Sequence, residues 1–159
     1  MVKDIKTNAM RILDSNGIEY RQLNLNIVEA LDGISCATML GVNLDSTFKT
    51  LVTIGKSKNY YVFVIPVAEK LDMKKAASSV GEKNVEMLPM KDLLKVTGYV
   101  HGGCSPIGMK KEFITIIDET ALLFDKIIFS GGKIGCFIEL NPKDIEKVIP
   151  MKYVDIVVV

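Results

Sequence analysis

The sequence predicts a mixed α/β fold, a barrel-like and mostly antiparallel β-sheet with flanking helices, in one domain over residues 1–159. Three observations predict it. Two β-branched and aromatic runs, Phe48 to Ile54 and Tyr60 to Ile65, flank the polar segment Gly55-Lys56-Ser57-Lys58-Asn59, the pattern of two strands joined by a hairpin. Helical and extended segments intermingle without the regular βαβ alternation of a doubly wound sheet. Finally, 159 residues suffice for one domain with a substantial core and are too few for two comfortable ones.

Each element has a local reason. Between Lys3 and Asn16 the apolar residues Ile5, Ala9, Ile12 and Leu13 recur at helical spacing, and Gly17 stands where a helix ends in the left-handed conformation. Ile18 to Leu25 alternates as a strand, and Ile34 to Leu40 reads as a short helix closed by Gly41. After the hairpin, Asp72 can cap a helix running to Val80 with Gly81 as its stop. Lys91 to Val96 forms another short helix ending before Gly98. Phe113 to Ile117 and Lys126 to Phe129 are apolar strands around a turn or helix at Glu119 to Phe124, and Cys136 to Leu140 is a further strand. Asn141-Pro142 places a cap before proline at the first position of a helix through Val148, and Tyr153 to Val159 is an apolar tail suited to an extended edge.

The composition, 48% apolar and 25% charged, is globular, and a net charge of +1 argues against a strongly electrostatic grip on duplex nucleic acid. Local basic patches remain open, at Lys110-Lys111 or Lys74-Lys75. Cys36, Cys104 and Cys136 are odd in number and lack a CxxC spacing, which points to a reducing compartment and to no metal site. Charges near Met1 interrupt what would be the apolar centre of a signal peptide, and no run approaches the roughly 20 apolar residues of a membrane span, so a cytoplasmic protein is expected. P-loop, HExxH, GxSxG and dinucleotide motifs are missing, and no cofactor is expected.

Chemistry is expected at two glycine-rich segments. Gly102-Gly103-Cys104-Ser105-Pro106-Ile107-Gly108 is either a tight surface turn or a loop whose amides face an oxyanion or phosphate. Ser130-Gly131-Gly132-Lys133-Ile134-Gly135 is a second such segment, read as a long hairpin tip. Cys104 has the sole histidine, His101, three residues away, a separation that does not place the two side chains against each other as a nucleophile and base. Along the strand from Phe48, Lys49 shares a face with Leu51 and Thr53. It either snorkels to water or offers a cation to a ligand.

An ordered set of motifs runs through the chain: Phe48-Lys49-Thr50-Leu51, Leu71-Asp72-Met73-Lys74-Lys75, Val85-Glu86-Met87, Thr97-Gly98-Tyr99, the Gly102 to Gly108 loop with Lys110-Lys111, and Ser130-Gly131-Gly132-Lys133. Together they resemble the YbaK/ProX family of trans-editing aminoacyl-tRNA deacylases, over nearly the whole chain. The resemblance implies a fold like the editing domain inserted in bacterial prolyl-tRNA synthetases. It implies hydrolysis of the ester joining a wrong amino acid to tRNA, in one branch cysteine on proline tRNA.

The same resemblance assigns Lys49, Gly102, Gly103 and Ser130 to catalysis and Thr50, Ser105, Pro106, Gly131, Gly132 and Phe137 to substrate binding. The 3′ acceptor end of an aminoacyl-tRNA is the implied partner, with prolyl-tRNA synthetase a candidate second. In the cysteine branch the substrate's own thiol attacks the ester, so the protein positions and polarises. The amides of Gly102, Gly103, Gly131 and Gly132 are then candidate donors to the carbonyl oxygen, with Ser105 and Ser130 shaping the loops.

The chain departs from the family pattern in three places. Leu23-Asn24-Leu25 stands where a His-Thr-Tyr run is usual, Ile134 replaces an arginine, and Phe137 replaces a small polar or acidic residue. A more apolar pocket is expected, as in the EbsC-like branch. Two other readings stay open: a deacylase for alanine or another small amino acid, and a non-catalytic module that binds an acceptor stem or a synthetase.

Overall fold

The computed structural model describes residues 6–159. Helix α1 spans Asn8–Ser15 and is capped by Thr7, whose side chain accepts a hydrogen bond from the Met10 amide. The predicted start at Lys3 lies outside the described residues. Strand β1 (Arg21–Asn24) and helix α2 (Gly33–Leu40) follow, the helix capped by Asp32 and closed by Gly41 at φ 70°. The hairpin is β2 (Phe48–Gly55) with β3 (Tyr60–Pro66). Then come α3 (Met73–Ser79), β4 (Val85–Met87) and α4 (Leu93–Thr97), with Asp72 accepting from the Lys74 and Lys75 amides and Gly98 closing α4 at φ 85°. Strands β5 (Ile114–Asp118), β6 (Ile127–Lys133), β7 (Cys136–Leu140) and β8 (Met151–Val154) complete the chain. The segment opened by Asn141-Pro142 is a 3-10 helix over Pro142–Lys147.

The strands form two sheets, β1-β7-β6 and β4-β2-β3-β5-β8, rather than one closed barrel. Four of the six ladders are antiparallel, while β5 pairs in parallel with β3 and with β8. The sheets touch at one corner, where Thr47 bridges Ile128, and that single bridge is all the closure among the described residues. The barrel stays open because β4 is only three residues long and covers only one end of β2.

Alternation along the central strands divides the core in two. Phe48, Val52, Val62 and Val64 face the space between the sheets, with α1 residues Met10 and Leu13 and with Phe129 and Ile138 of the small sheet. Tyr61, Phe63 and Ile65 point the other way and are covered by Ala76 and Ala77 of α3. With both faces buried, β3 reads as one continuous apolar run.

Three expectations change. Val85–Met87, not expected as a strand, pairs with Thr53 to Gly55. The extended edge comes earlier than Tyr153 to Val159, as β8, with Val157 bridging Leu71. The second glycine segment is not a long tip: β6 continues through Ser130-Gly131-Gly132 to Lys133, with a register shift between Ser130 and Lys133, and the turn itself is Ile134-Gly135. Glycines inside a strand pattern here mark a bulge.

Candidate active site

The short β4 has a consequence for β2. Between the bridge at Thr47 and the β4 pairing that starts at Thr53, the outer edge of β2 has no neighbouring strand. The Leu88 amide donates to the Val52 carbonyl at 3.0 Å, so Val52 directs its backbone outward. Direction alternates along an antiparallel strand, so Thr50 presents its amide and carbonyl to the same side. A cavity of about 620 Å³ opens along this edge. Ala30 to Cys36 at the start of α2 form one wall, and Met87 to Leu93 form the other. His101, Gly102 and Cys104 close one end, with Ser130 and Phe137 reaching in from the small sheet.

Lys49 and Thr50 supply polarity at the uncovered edge. Lys49 is half-buried; burial pushes its pKa below the ordinary 10.5, and the Glu69 carboxylate opposes that shift without cancelling it. A cation therefore lines a mostly apolar cavity and is stabilised by any anion brought there. Among the described residues, the Thr50 Oγ1 is the buried side-chain oxygen that lacks a hydrogen-bond partner. Such a group carries a desolvation cost that a ligand can relieve.

The cavity's other titratable side chains are poor nucleophiles or bases. Burial pushes the Cys104 thiol up to about 12, and burial followed by the nearby Asp32 raises Cys36. Neither is a thiolate near neutral pH. Asp32 accepts from the amide and the hydroxyl of Ser35, and these bonds lower its pKa. His101 lines the cavity and is exposed.

Lys49, Thr50, Gly102, Ser130 and Phe137 line this one cavity although the sequence scatters them over three segments. Gly102 has φ +85°, and a Cβ there would lie 2.4 Å from the Ala30 Cβ, so glycine is required for the loop to meet the α2 wall. The other assigned residues stand behind it. Gly103 donates its amide to Val100 within a tight turn, and Gly132 donates to the Ser130 Oγ at 3.3 Å, which commits two of the four amides considered for the carbonyl oxygen. Ser105 is buried and accepts from the Ile107 amide, shaping the loop from within. Pro106 lines a separate cavity of about 170 Å³. Gly131 accepts from the Thr7 hydroxyl at 2.5 Å, and a Cβ on it would meet Cys136 and Met10.

Sequence reasoning missed Asp32, His101 and the apolar side chains Ile34, Met87 and Met90 around the cavity. His101, the sole histidine and next to a glycine pair, carried a signal. The methionines carried none, because they become neighbours of Lys49 only when β4 pairs with β2. The expected apolar pocket end is present: Phe137 packs with Cys36 and Ile128, and Leu23, Leu25 and Ile27 cover that cluster.

Among the described residues no helix is long and apolar enough to cross a membrane. The chain is similar to EbsC of Enterococcus faecalis strain V583, named as a candidate Cys-tRNA(Pro)/Cys-tRNA(Cys) deacylase, with 47% identity over 141 residues, 88% of this chain and 86% of that one. It is 28% identical over 146 residues to the uncharacterized protein YwhH of Bacillus subtilis strain 168, covering 92% of this chain and 89% of that one. A crystal structure described as a candidate trans-editing enzyme for prolyl tRNA synthetase superposes with a TM-score of 0.81 at 20% identity, covering 98% of this chain and all of that one, which establishes the fold. The aminoacyl-tRNA editing domain family matches residues 29–148, more than half of the chain, and the chain belongs to that family.

Proposed function

We propose that the protein hydrolyses the ester joining cysteine to tRNA, on proline or cysteine tRNA, as a free-standing editing deacylase. The observation that carries the reading is the single cavity in which Lys49, Thr50, Gly102 and Ser130 meet along an uncovered strand edge. In this reading Lys49 holds the terminal phosphate or ribose end. The Thr50 edge and the Gly102 amide face the ester carbonyl, where a donor is worth about 2.7–4 kcal/mol of barrier. The substrate's thiol gives up its proton and its sulfur bonds to the carbonyl carbon. The carbon–oxygen bond to the ribose then breaks, the ribose oxygen takes a proton, and a thiolactone leaves. Fixing thiol and carbonyl together contributes on the order of 7–11 kcal/mol when the geometry is right. The chain's own cavity thiols, both held protonated by burial, do not compete as nucleophiles.

A second reading, hydrolysis of an alanyl or other small aminoacyl ester, draws on the apolar end at Phe137 and Cys36. Prolyl-tRNA synthetase is a candidate partner that would supply tRNA identity. A panel of tRNAs charged with cysteine, alanine, serine and proline separates these readings. Wild type is expected to shorten only the cysteinyl ester's lifetime, and Lys49→Ala to lose about a hundredfold of that rate with an unchanged melting temperature. Acceleration of the alanyl ester in place of the cysteinyl one would establish the second reading, and no acceleration of any member would refute both.

A further inference from the structure

The two walls of the cavity differ in charge. On the α2 side no lysine, arginine or histidine stands between Arg21 and Lys49, while Glu29, Asp32 and Asp45 are acidic and exposed. On the other side residues 87–111 hold four lysines against one acid, Asp92, and counting the preceding Glu86 leaves the balance positive. Lys91, Lys95 and Lys110 are exposed, and among the described residues none of them forms an ion pair. Lys110 donates to the Lys95 carbonyl at 3.4 Å, and its stem lies over Gly98, which gathers these two cations at the end of α4. Met90, Leu94 and Val100 are exposed among them.

We propose that this wall, from Met87 to Lys110, is the surface over which the phosphate backbone of the tRNA acceptor end runs into the cavity, with the acidic α2 wall turned away from it. The inference rests on reading the cavity as a site for an aminoacyl ester of tRNA. A polyanion approaching a chain of net charge +1 gains nothing from the average field, so the asymmetry between the walls sets its path. Unpaired lysines with exposed apolar side chains between them match a single-stranded end. The cations track phosphates, while the apolar groups accept base faces without selecting sequence. The same patch suits a second copy of the chain poorly, because a two-fold contact would set these lysines against themselves.

The test uses the full chain with two probes: a fluorescently labelled acceptor-stem RNA hairpin with a single-stranded CCA 3′ end, and a bare CCA trinucleotide, each also prepared as its cysteinyl ester. Binding of the uncharged hairpin is followed by anisotropy across salt concentrations. For Lys91→Gln/Lys95→Gln/Lys110→Gln the slope of log affinity against log salt is expected to fall by about two to three, since each lost phosphate contact removes about 0.9. KM for the hairpin ester is expected to rise about tenfold relative to KM for the trinucleotide ester. Glu29→Gln, on the opposite wall, should leave the salt slope as in wild type. An unchanged slope in the triple variant, with thermal melting as in wild type, would overturn the assignment, and so would a concentration-dependent dimer abolished by the same substitutions. Wild type that binds the hairpin with the expected slope but hydrolyses neither ester would instead refute the deacylase reading and leave the surface standing.

Discussion

The two glycine-rich segments look alike as sequence, yet they sit in different parts of the structure. Around Gly102 the chain is a loop at φ +85° pressed against Ala30, and it closes one end of the cavity. Around Gly131 and Gly132 it is a bulged strand that packs away from the cavity, under Thr7, Met10 and Tyr99. Both need glycine because something approaches closely. At the first it is the opposite wall of the site, and at the second it is the core. A run of glycines therefore signals close approach, and only the fold says to what.

Substitution separates the two. Gly102→Ala brings a Cβ to 2.4 Å from the Ala30 Cβ, about an ångström inside ordinary contact, and a displacement of that size costs on the order of a hundredfold in rate. The loss is expected in cysteinyl-tRNA hydrolysis, and Ala30→Gly should restore part of it by removing the colliding methyl. No recovery in the double variant would mean that the positive φ, not the wall contact, sets the requirement. Gly132→Ala meets Tyr99 Cε1 at 3.0 Å at φ +106°, and about 1–3 kcal/mol of stability should be lost in urea unfolding, with little change in turnover. If turnover collapsed while stability held, the second segment would belong to the site after all.

Smaller effects sharpen the contrast. Tyr99 covers Gly132 and donates its hydroxyl to the Ile107 carbonyl at 2.5 Å, so Tyr99→Phe should cost about 1–3 kcal/mol by leaving a buried acceptor unpaired. Burial pushes this hydroxyl from 10.0 up to about 12. The folded state keeps a proton that the unfolded chain loses first, so stability falls as pH rises between those values, and Tyr99→Phe should flatten that decline in alkaline unfolding.

Lys49 behaves oppositely on the cavity side. Its lowered pKa means that the folded state releases the proton first, so its desolvation penalty is relieved as pH rises toward 10.5. Enzymic hydrolysis, corrected for the spontaneous rate, should decline below pH 10.5 in wild type and not in Lys49→Arg, whose guanidinium keeps its charge. A Lys49→Arg variant that declines at the same pH would place the titrating group elsewhere.

Most elements were legible because their causes are local. Asp72 is followed by a helix whose first amides it accepts, Gly41 and Gly98 close helices in the left-handed conformation, and Tyr60 to Ile65 has the β-branched density of a central strand. Misreadings arose where the deciding partner is distant. Thr7 caps α1 while its hydroxyl donates to Gly131, 124 positions away, so neither the start of the helix nor the bulge is visible in its own neighbourhood. Val85–Met87 is too short to read as a strand and exists because Thr53 to Gly55 offers it an edge.

The same division holds at the site. The sequence by itself determined the family, the hairpin that carries Lys49 and Thr50, the glycine at position 102 and the apolar Phe137, since each depends on residue type and near neighbours. Tertiary structure decided which of these residues share a cavity, which glycine amides are committed to turns, and that the edge of β2 stays uncovered. Those outcomes depend on how far β4 reaches along β2 and where Thr47 meets Ile128, long-range pairings whose register no local window contains.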